Sequence, residues 1–297
     1  MKGVPYSNQE ALYLSAKVAE YVSYYAVEAS AEHARERGSY SSFAGSSWSQ
    51  GLVPHDTVKN LGSHVKTPEI PSQYFDEKTQ ESKPCFDLLK NDGFAEHLDW
   101  DVLRNSVKKG MRNSLCLAIA PTATISNISN CTQSIEPTYK NLYVKSNMGG
   151  EYTIINEFLV QDLKDLGLWT PDMIRELKRM DGSVASLDVP DHIKRLYQTA
   201  FDIEAEQIIH CAALRQSYLD QSQSLNLYLS APSGKKIDDM YRTAWHAGLK
   251  TTYYLRTKAA TSVEKSSINS TKKAAAPGRV EEPKLCSILD PLCESCQ

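Results

Sequence analysis

The sequence predicts an α/β fold, on two observations. The run Ser114-Leu115-Cys116-Leu117-Ala118-Ile119-Ala120 is almost continuously apolar and stops at Pro121. That is the pattern of a short strand buried on both faces. Further on, residues 224–229 read as a strand, 237–246 as a helix followed by Gly248, and 250–256 as a second strand. Strand–helix–strand at this spacing joins two parallel strands by a crossover, as in part of a barrel or a doubly wound sheet.

The first element is a long helix. Ser7 and Glu10 form an S-x-x-E capping box, no Pro or Gly interrupts residues 8–37, and Gly38 supplies a stop. Leu14, Val18, Tyr21, Val22 and Tyr25 can line one face as its apolar stripe. Residues 38–83 are rich in Ser, Gly and Pro and read as loops with short turns. A helix follows over 98–109, ending at Gly110, and then comes the apolar run. Helices are expected over 153–166, over 171–180 behind the N-cap Thr170 with Pro171 at the first helical position, and over 203–219. From Lys258 onward Lys, Ser, Thr, Ala and Pro dominate until Leu285, too polar to fold alone. The chain therefore divides into a folded region, 1–257, and a flexible tail, 258–297.

The 297 residues carry 33 Lys+Arg, 36 Asp+Glu and a net charge of −3. This balance gives no case for nucleic-acid or polybasic membrane binding. No apolar run is long enough to span a bilayer, and the first residues lack a secretory h-region. Seven cysteines, three of them crowded into the last twelve residues, do not suit a disulfide-stapled secreted domain. A reducing cytoplasm fits better.

Three patterns could carry chemistry. Pro121, Thr122, Ala123, Thr124 and Ile125 follow the apolar run, where exposed backbone N–H groups and hydroxyls can cradle an anion. No Lys or Arg lies in that loop, and the bland alternative is an ordinary Ser/Thr-rich turn. Cys293 and Cys296 form a C-x-x-C spacing in the tail. They read as a redox dithiol on a mobile arm, as half of a zinc site lacking ligands, or as terminal cysteines without a role. Tyr253 and Tyr254 are adjacent in the last strand. Alternation would put one in the core and one on the surface; the other reading is a redox-active pair, because a phenol can pass a proton and an electron. The seven His show no metal-ligand spacing, so no metal site is expected.

Taken in order, three features are more specific than any one. They are Leu117-Ala118-Ile119-Ala120-Pro121-Thr122-Ala123-Thr124-Ile125-Ser126-Asn127-Ile128, then Ser134-Ile135-Glu136-Pro137, then Lys250-Thr251-Thr252-Tyr253-Tyr254 with a cysteine pair at the extreme C-terminus. Together they resemble the C-terminal part of the large (α) subunit of class I, aerobic ribonucleoside-diphosphate reductases. The opening Gly3-Val4-Pro5-Tyr6-Ser7 and Arg112-Asn113-Ser114 share in the resemblance.

The resemblance implies a ten-stranded α/β barrel made of two five-stranded parallel halves, of which this chain is the C-terminal portion. It implies that Pro121, Thr122, Ala123, Thr124 and Ile125 hold the diphosphate of a ribonucleotide. Ala123 stands where some relatives have an acidic residue, which a backbone contact survives. Tyr253 and Tyr254 match a stacked pair relaying a radical from a diiron-tyrosyl small (β) subunit. Local geometry must then override strand alternation. Cys293 and Cys296 match a tail dithiol that re-reduces the active site and is recharged by thioredoxin or glutaredoxin. Roughly 40 flexible residues would give that tail a reach of about 30–40 Å. Cys286 matches no family role. The Asn-x-Cys-x-Glu motif of the radical cysteine is absent, as are the upstream cysteine pair and the effector sites. The chain is therefore a shortened piece or one half of a split subunit, needing an N-terminal fragment, with no cofactor bound by this chain itself. The alternative is a non-catalytic phosphate-binding or metal-tail module.

Overall fold

The structure, a computed structural model, describes residues 3–59, 61–76, 79–147 and 150–258. Its first element, α1 (Gln9–Arg37), ends at Gly38, whose φ of 77° carries the chain off the helix while its N–H still bonds the Ala34 carbonyl at 2.9 Å. The capping box does not form. Asn8 is the N-cap, without a side-chain bond, and Ser7 Oγ donates instead to Gln198 Oε1 at 2.6 Å.

The buried face of α1 is also not the one expected. Ala11, Tyr13, Ala16, Ser23, Tyr24, Val27, Ser30, Ala31 and Ala34 face inward, and the helix packs on α3 (Trp100–Val107) and α8 (Ala205–Gln216). Small residues at these positions let the helix backbones approach closely. Val18, Val22 and Tyr25 are left exposed.

Between α1 and α3 the polar segment is more structured than its composition suggests. It holds the short helix α2 (Pro54–Lys59) and the hairpin β1 (Gln73–Asp76) with β2 (Glu81–Pro84). Arg104 on α3 forms an ion pair with Asp56 on α2, over a cluster of Tyr24, Val27, Trp48, Val53, Leu103 and Met111.

After α4 (Ile125–Ile128) comes a second antiparallel hairpin, β3 (Leu142–Asn147) with β4 (Gly150–Ile155), in register Leu142↔Ile155. This corrects the expected helix start at 153. Thr153, Ile154 and Ile155 are strand, and the helix α5 (Glu157–Asp165) begins only after Asn156, whose side chain accepts from the N–H groups of Phe158 and Leu159. β-branched residues pulled the segment into the hairpin. The Thr170–Pro171 start of α6 (Pro171–Arg179) is as expected, with Thr170 Oγ1 accepting from Met173 N at 3.2 Å. Helices α5, α6 and α7 (Asp191–Leu196) close over Leu159, Leu163, Leu177, Val184 and Ile193.

The strand–helix–strand unit forms as the spacing predicts. β5 (Leu227–Leu229), α9 (Gly234–His246) and β6 (Leu255–Thr257) follow in order, and β5 pairs with β6 in parallel, Leu227↔Leu255. Both strands are shorter than expected. Their core is Ile208, Ile209, Ala212, Leu225, Leu227, Met240 and Ala244.

The apolar run does not become a buried strand. It lies extended beside the segment before β5, joined by one parallel bridge, Ile119↔Gln223, and by bonds from Ile119 N to Ser222 O and from Ser224 N to Ile119 O. No described strand pairs with its other edge, so the run is only half a sheet deep and Leu115 and Ala118 stay exposed. The α/β class holds, yet among the described residues each sheet has two strands and none closes into a barrel.

Candidate functional site

Three segments, two of them neighbours in sequence and the third more than a hundred residues further on, meet beside the parallel strands. The middle segment supplies Glu136, only 3% exposed. Its carboxylate accepts from Asn226 N at 2.8 Å, Asn226 Nδ2 at 3.1 Å and Tyr228 Oη at 2.5 Å, fixing the 134–137 turn to β5. Burial raises the Glu136 pKa, while the bonds from Tyr228 and Asn226 pull it back. Burial, then the Glu136 carboxylate, raises that of Tyr228. Nothing in the sequence marked Glu136 beyond its place in Ser134-Ile135-Glu136-Pro137, and a buried carboxylate cannot be told from a surface one by spacing.

The first segment is the expected anion loop. Thr122 has a φ of 39°, unusual for a β-branched residue. The conformation is held from both sides: Thr122 Oγ1 accepts from Ser134 N at 2.9 Å, and Ser126 N bonds Thr122 O at 3.0 Å. Ser134 Oγ reaches back to Ala120 O at 3.1 Å. Pro121, Ala123, Thr124 and Ile125 stand exposed around it. Ala123 and Thr124 open onto a groove of about 860 Å³ whose far wall includes Lys140, Tyr228 and Arg256. The loop has no cation of its own, but the fold brings two to the same groove.

The last segment carries the tyrosines. Lys250 anchors it, its ammonium donating to the carbonyls of Leu219, Asp220 and Gln221 at 3.0, 3.0 and 3.1 Å. Burial lowers the Lys250 pKa, and the Asp220 charge opposes this. Tyr253 N bonds Leu225 O at 2.7 Å, but Tyr254 N turns to the Asn226 side chain at 3.2 Å. That swap of a carbonyl for a side-chain oxygen breaks the alternation. Both rings emerge on one side, centroids 4.0 Å apart and tilted 45°, with Tyr253 Oη donating to Tyr254 Oη at 3.2 Å. Neither is in the core: they are 44% and 54% exposed. The contact with Tyr254, then burial, raises the Tyr253 pKa. Arg256 lies over the Tyr254 ring at 5.7 Å and over the Tyr139 ring at 5.9 Å, bridging the pair to the groove.

Cys293 and Cys296, like Cys286, lie outside the described residues. Among the described residues the cysteines 85, 116, 131 and 211 are free thiols, and no group of three or more His, Cys, Asp and Glu side chains is placed to hold a metal ion. No helix there is long and apolar enough to cross a membrane.

The family model described as ribonucleotide reductase, barrel domain, matches residues 1–255. The chain belongs to the ribonucleotide reductase family. It is 45% identical over 310 aligned positions to the ribonucleoside-diphosphate reductase subunit alpha of Chlamydia trachomatis, covering 99% of this chain and 28% of that protein. The ribonucleoside-diphosphate reductase large chain 2 of Saccharomyces cerevisiae is 37% identical over 263 positions, covering 88% of this chain and 27% of its own. Among solved structures, the Actinobacillus ureae class Id ribonucleotide reductase alpha subunit aligns with a TM-score of 0.58 at 23% identity, over 87% of this chain and 36% of that one. That likeness speaks to the fold alone. This ribonucleotide reductase chain thus spans under a third of the length of the Chlamydia and Saccharomyces relatives and corresponds to a C-terminal part of them.

Proposed function

We propose that the chain is the C-terminal working part of a ribonucleoside-diphosphate reductase large subunit, converting ribonucleoside diphosphates to 2′-deoxyribonucleoside diphosphates together with an N-terminal portion. The observation that carries this reading is the convergence of the three family-like segments, joined by Ser134 to Thr122, by Asn226 to Glu136 and by Tyr254 to Asn226. Glu136 and the tyrosine segment, more than a hundred residues apart, are tied through Asn226 by polar bonds that are buried at Glu136, which a remnant that only binds phosphate would not need.

In this reading Pro121, Thr122, Ala123, Thr124 and Ile125 hold the substrate diphosphate through backbone amides and the two hydroxyls. Lys140 and Arg256 add the positive charge that the loop lacks. Tyr254 and Tyr253 pass the radical inward one after the other, an electron moving outward at each step; each phenol loses its proton on oxidation and regains it on reduction, and the 3.2 Å hydroxyl contact is the path for that proton. The radical originates in a diiron-tyrosyl small subunit. Its destination is a cysteine of the N-terminal portion, since no matching motif lies in this chain. Two thiols are oxidised to a disulfide as the 2′-hydroxyl departs as water and a hydrogen takes its place. Cys293 and Cys296 then reduce that disulfide by exchange, becoming a disulfide that thioredoxin or glutaredoxin reopens. The N-terminal portion also completes the ten-stranded barrel.

The test uses the full chain mixed with an N-terminal portion and small subunit. Replacing Cys293 and Cys296 by Ser should abolish turnover driven by thioredoxin and leave turnover driven by dithiothreitol within about twofold of the parent. Loss of both would remove the tail from the shuttle.

A further inference from the structure

A second groove, of about 550 Å³, lies on the other side of Glu136. Its walls are Leu14, Val18 and Val22 of α1, Leu117 and Ile119 of the apolar run, and Arg215 of α8. Arg215 is the exception in this lining. It is 2% exposed, with Nη1 donating to Ser15 Oγ at 3.2 Å and the Tyr6 hydroxyl beside it, while Nε and Nη2 are buried without a hydrogen-bond partner. A guanidinium does not shed its proton in a protein, so the charge stays. Among the described residues no carboxylate is bonded to it. Burial raises the pKa of Cys211 and pushes that of Tyr6 up to about 12, so both stay uncharged, and the Glu136 carboxylate already serves Asn226 and Tyr228.

We propose that this groove seats a segment of the large subunit from the part that this chain does not span, and that an Asp or Glu of that segment forms a two-pronged ion pair with Arg215 Nε and Nη2. The inference rests on the functional reading above and adds the contact that fixes the joint. Three observations select this occupant. The groove is lined mainly by apolar side chains, and Val18 and Val22 of α1 stand exposed in it while Tyr13, Tyr24 and Val27 fill the chain's own core. The apolar run has an edge that no described strand pairs with. The relatives carry more than two thirds of their length outside the matched region. A fork of two N–H donors held at one depth matches a carboxylate. A buried cation without an anion weakens the free chain, and the incoming carboxylate removes that penalty only when the two parts are joined.

The test co-expresses the full chain with the N-terminal portion of the Chlamydia trachomatis α subunit and measures association and melting. Arg215→Met should weaken association about tenfold or more, while the isolated variant melts no lower than the parent, because an unpaired buried charge has gone. Arg215→Lys, which keeps the charge but not the fork, should fall between. Val18→Asp with Val22→Asp should abolish association. If that pair releases the partner but Arg215→Met binds as the parent does, the ion pair is overturned and the docking remains. A lower melting temperature for isolated Arg215→Met overturns it also, as it would mean that Arg215 is satisfied within the chain. A structure of the complex should place a partner carboxylate within about 3.5 Å of Arg215; water or a small anion there instead overturns the pairing. Absence of any association by the parent chain would overturn the functional reading itself.

Discussion

Tyr253 and Tyr254 share a hydroxyl contact at 3.2 Å while their backbones are held by different partners, the Leu225 carbonyl and the Asn226 side chain. This is the smallest unit of the proposed machinery, and its function depends on the phenol and not on the ring. Tyr253→Phe should therefore lower turnover of the assembled enzyme by at least about a thousandfold, with nucleoside-diphosphate affinity unchanged, read by product formation and by calorimetry. Residual turnover near the parent's would take Tyr253 out of the relay. Lys250 acts at one remove. Its ammonium ties three carbonyls at the end of α8 to the tyrosine strand. Lys250→Met should cost about 1–3 kcal/mol of stability, measured by urea unfolding, because three carbonyls lose a charged donor. The tyrosine pair was legible in the sequence because its residues are adjacent and distinctive. Glu136, Arg215 and Arg256 were not, since their meaning lies in burial and in partners about 90 to 200 residues away.

At the scale of the elements, what the sequence showed and what it hid follow one rule. Most local signals held, among them the Thr170–Pro171 helix start, the Gly38 stop and the parallel unit around α9, while the Ser7–Glu10 capping box gave way to the distant bond from Ser7 to Gln198. Signals that depend on the environment misled. The large apolar residues of α1 and the run 114–120 were read as core by their hydrophobicity, but hydrophobicity says only that a surface will be covered, not by which part of a polypeptide. Likewise residues 153–155 joined a hairpin because their strand partner, β3, is nearby in the chain. The α2–α3 contact gives a prediction that needs no partner. Burial raises the Asp56 carboxyl pKa, but the Arg104 side-chain bond, the Val53 amide and the Arg104 charge outweigh it and bring it to about 2, below the 3.8 of an ordinary aspartate. The folded pKa is the lower one, so the stabilisation is present above about pH 4 and is lost as pH falls toward 2. Asp56→Asn should remove about 2 kcal/mol at neutral pH and flatten the acid limb of the stability curve between about pH 4 and 2. An unchanged acid limb would show that the pair does not form in solution.

For the whole molecule, the described sheets are short and unclosed, and large apolar side chains line an open groove beside a buried unpaired cation. Each is a feature that a self-contained domain would bury or pair. The same chain concentrates its polar bonds where the three family-like segments meet. In the proposed reading the open side is the one that another part of the subunit covers. This account is tested most directly by product formation from a ribonucleoside diphosphate with three components: this chain, an N-terminal portion of a large subunit and a radical-supplying small subunit. The account predicts 2′-deoxyribonucleoside diphosphate when all three are present and none when this chain or the N-terminal portion is left out. Undiminished product with this chain omitted, or no product from a mixture in which all three associate, would contradict it.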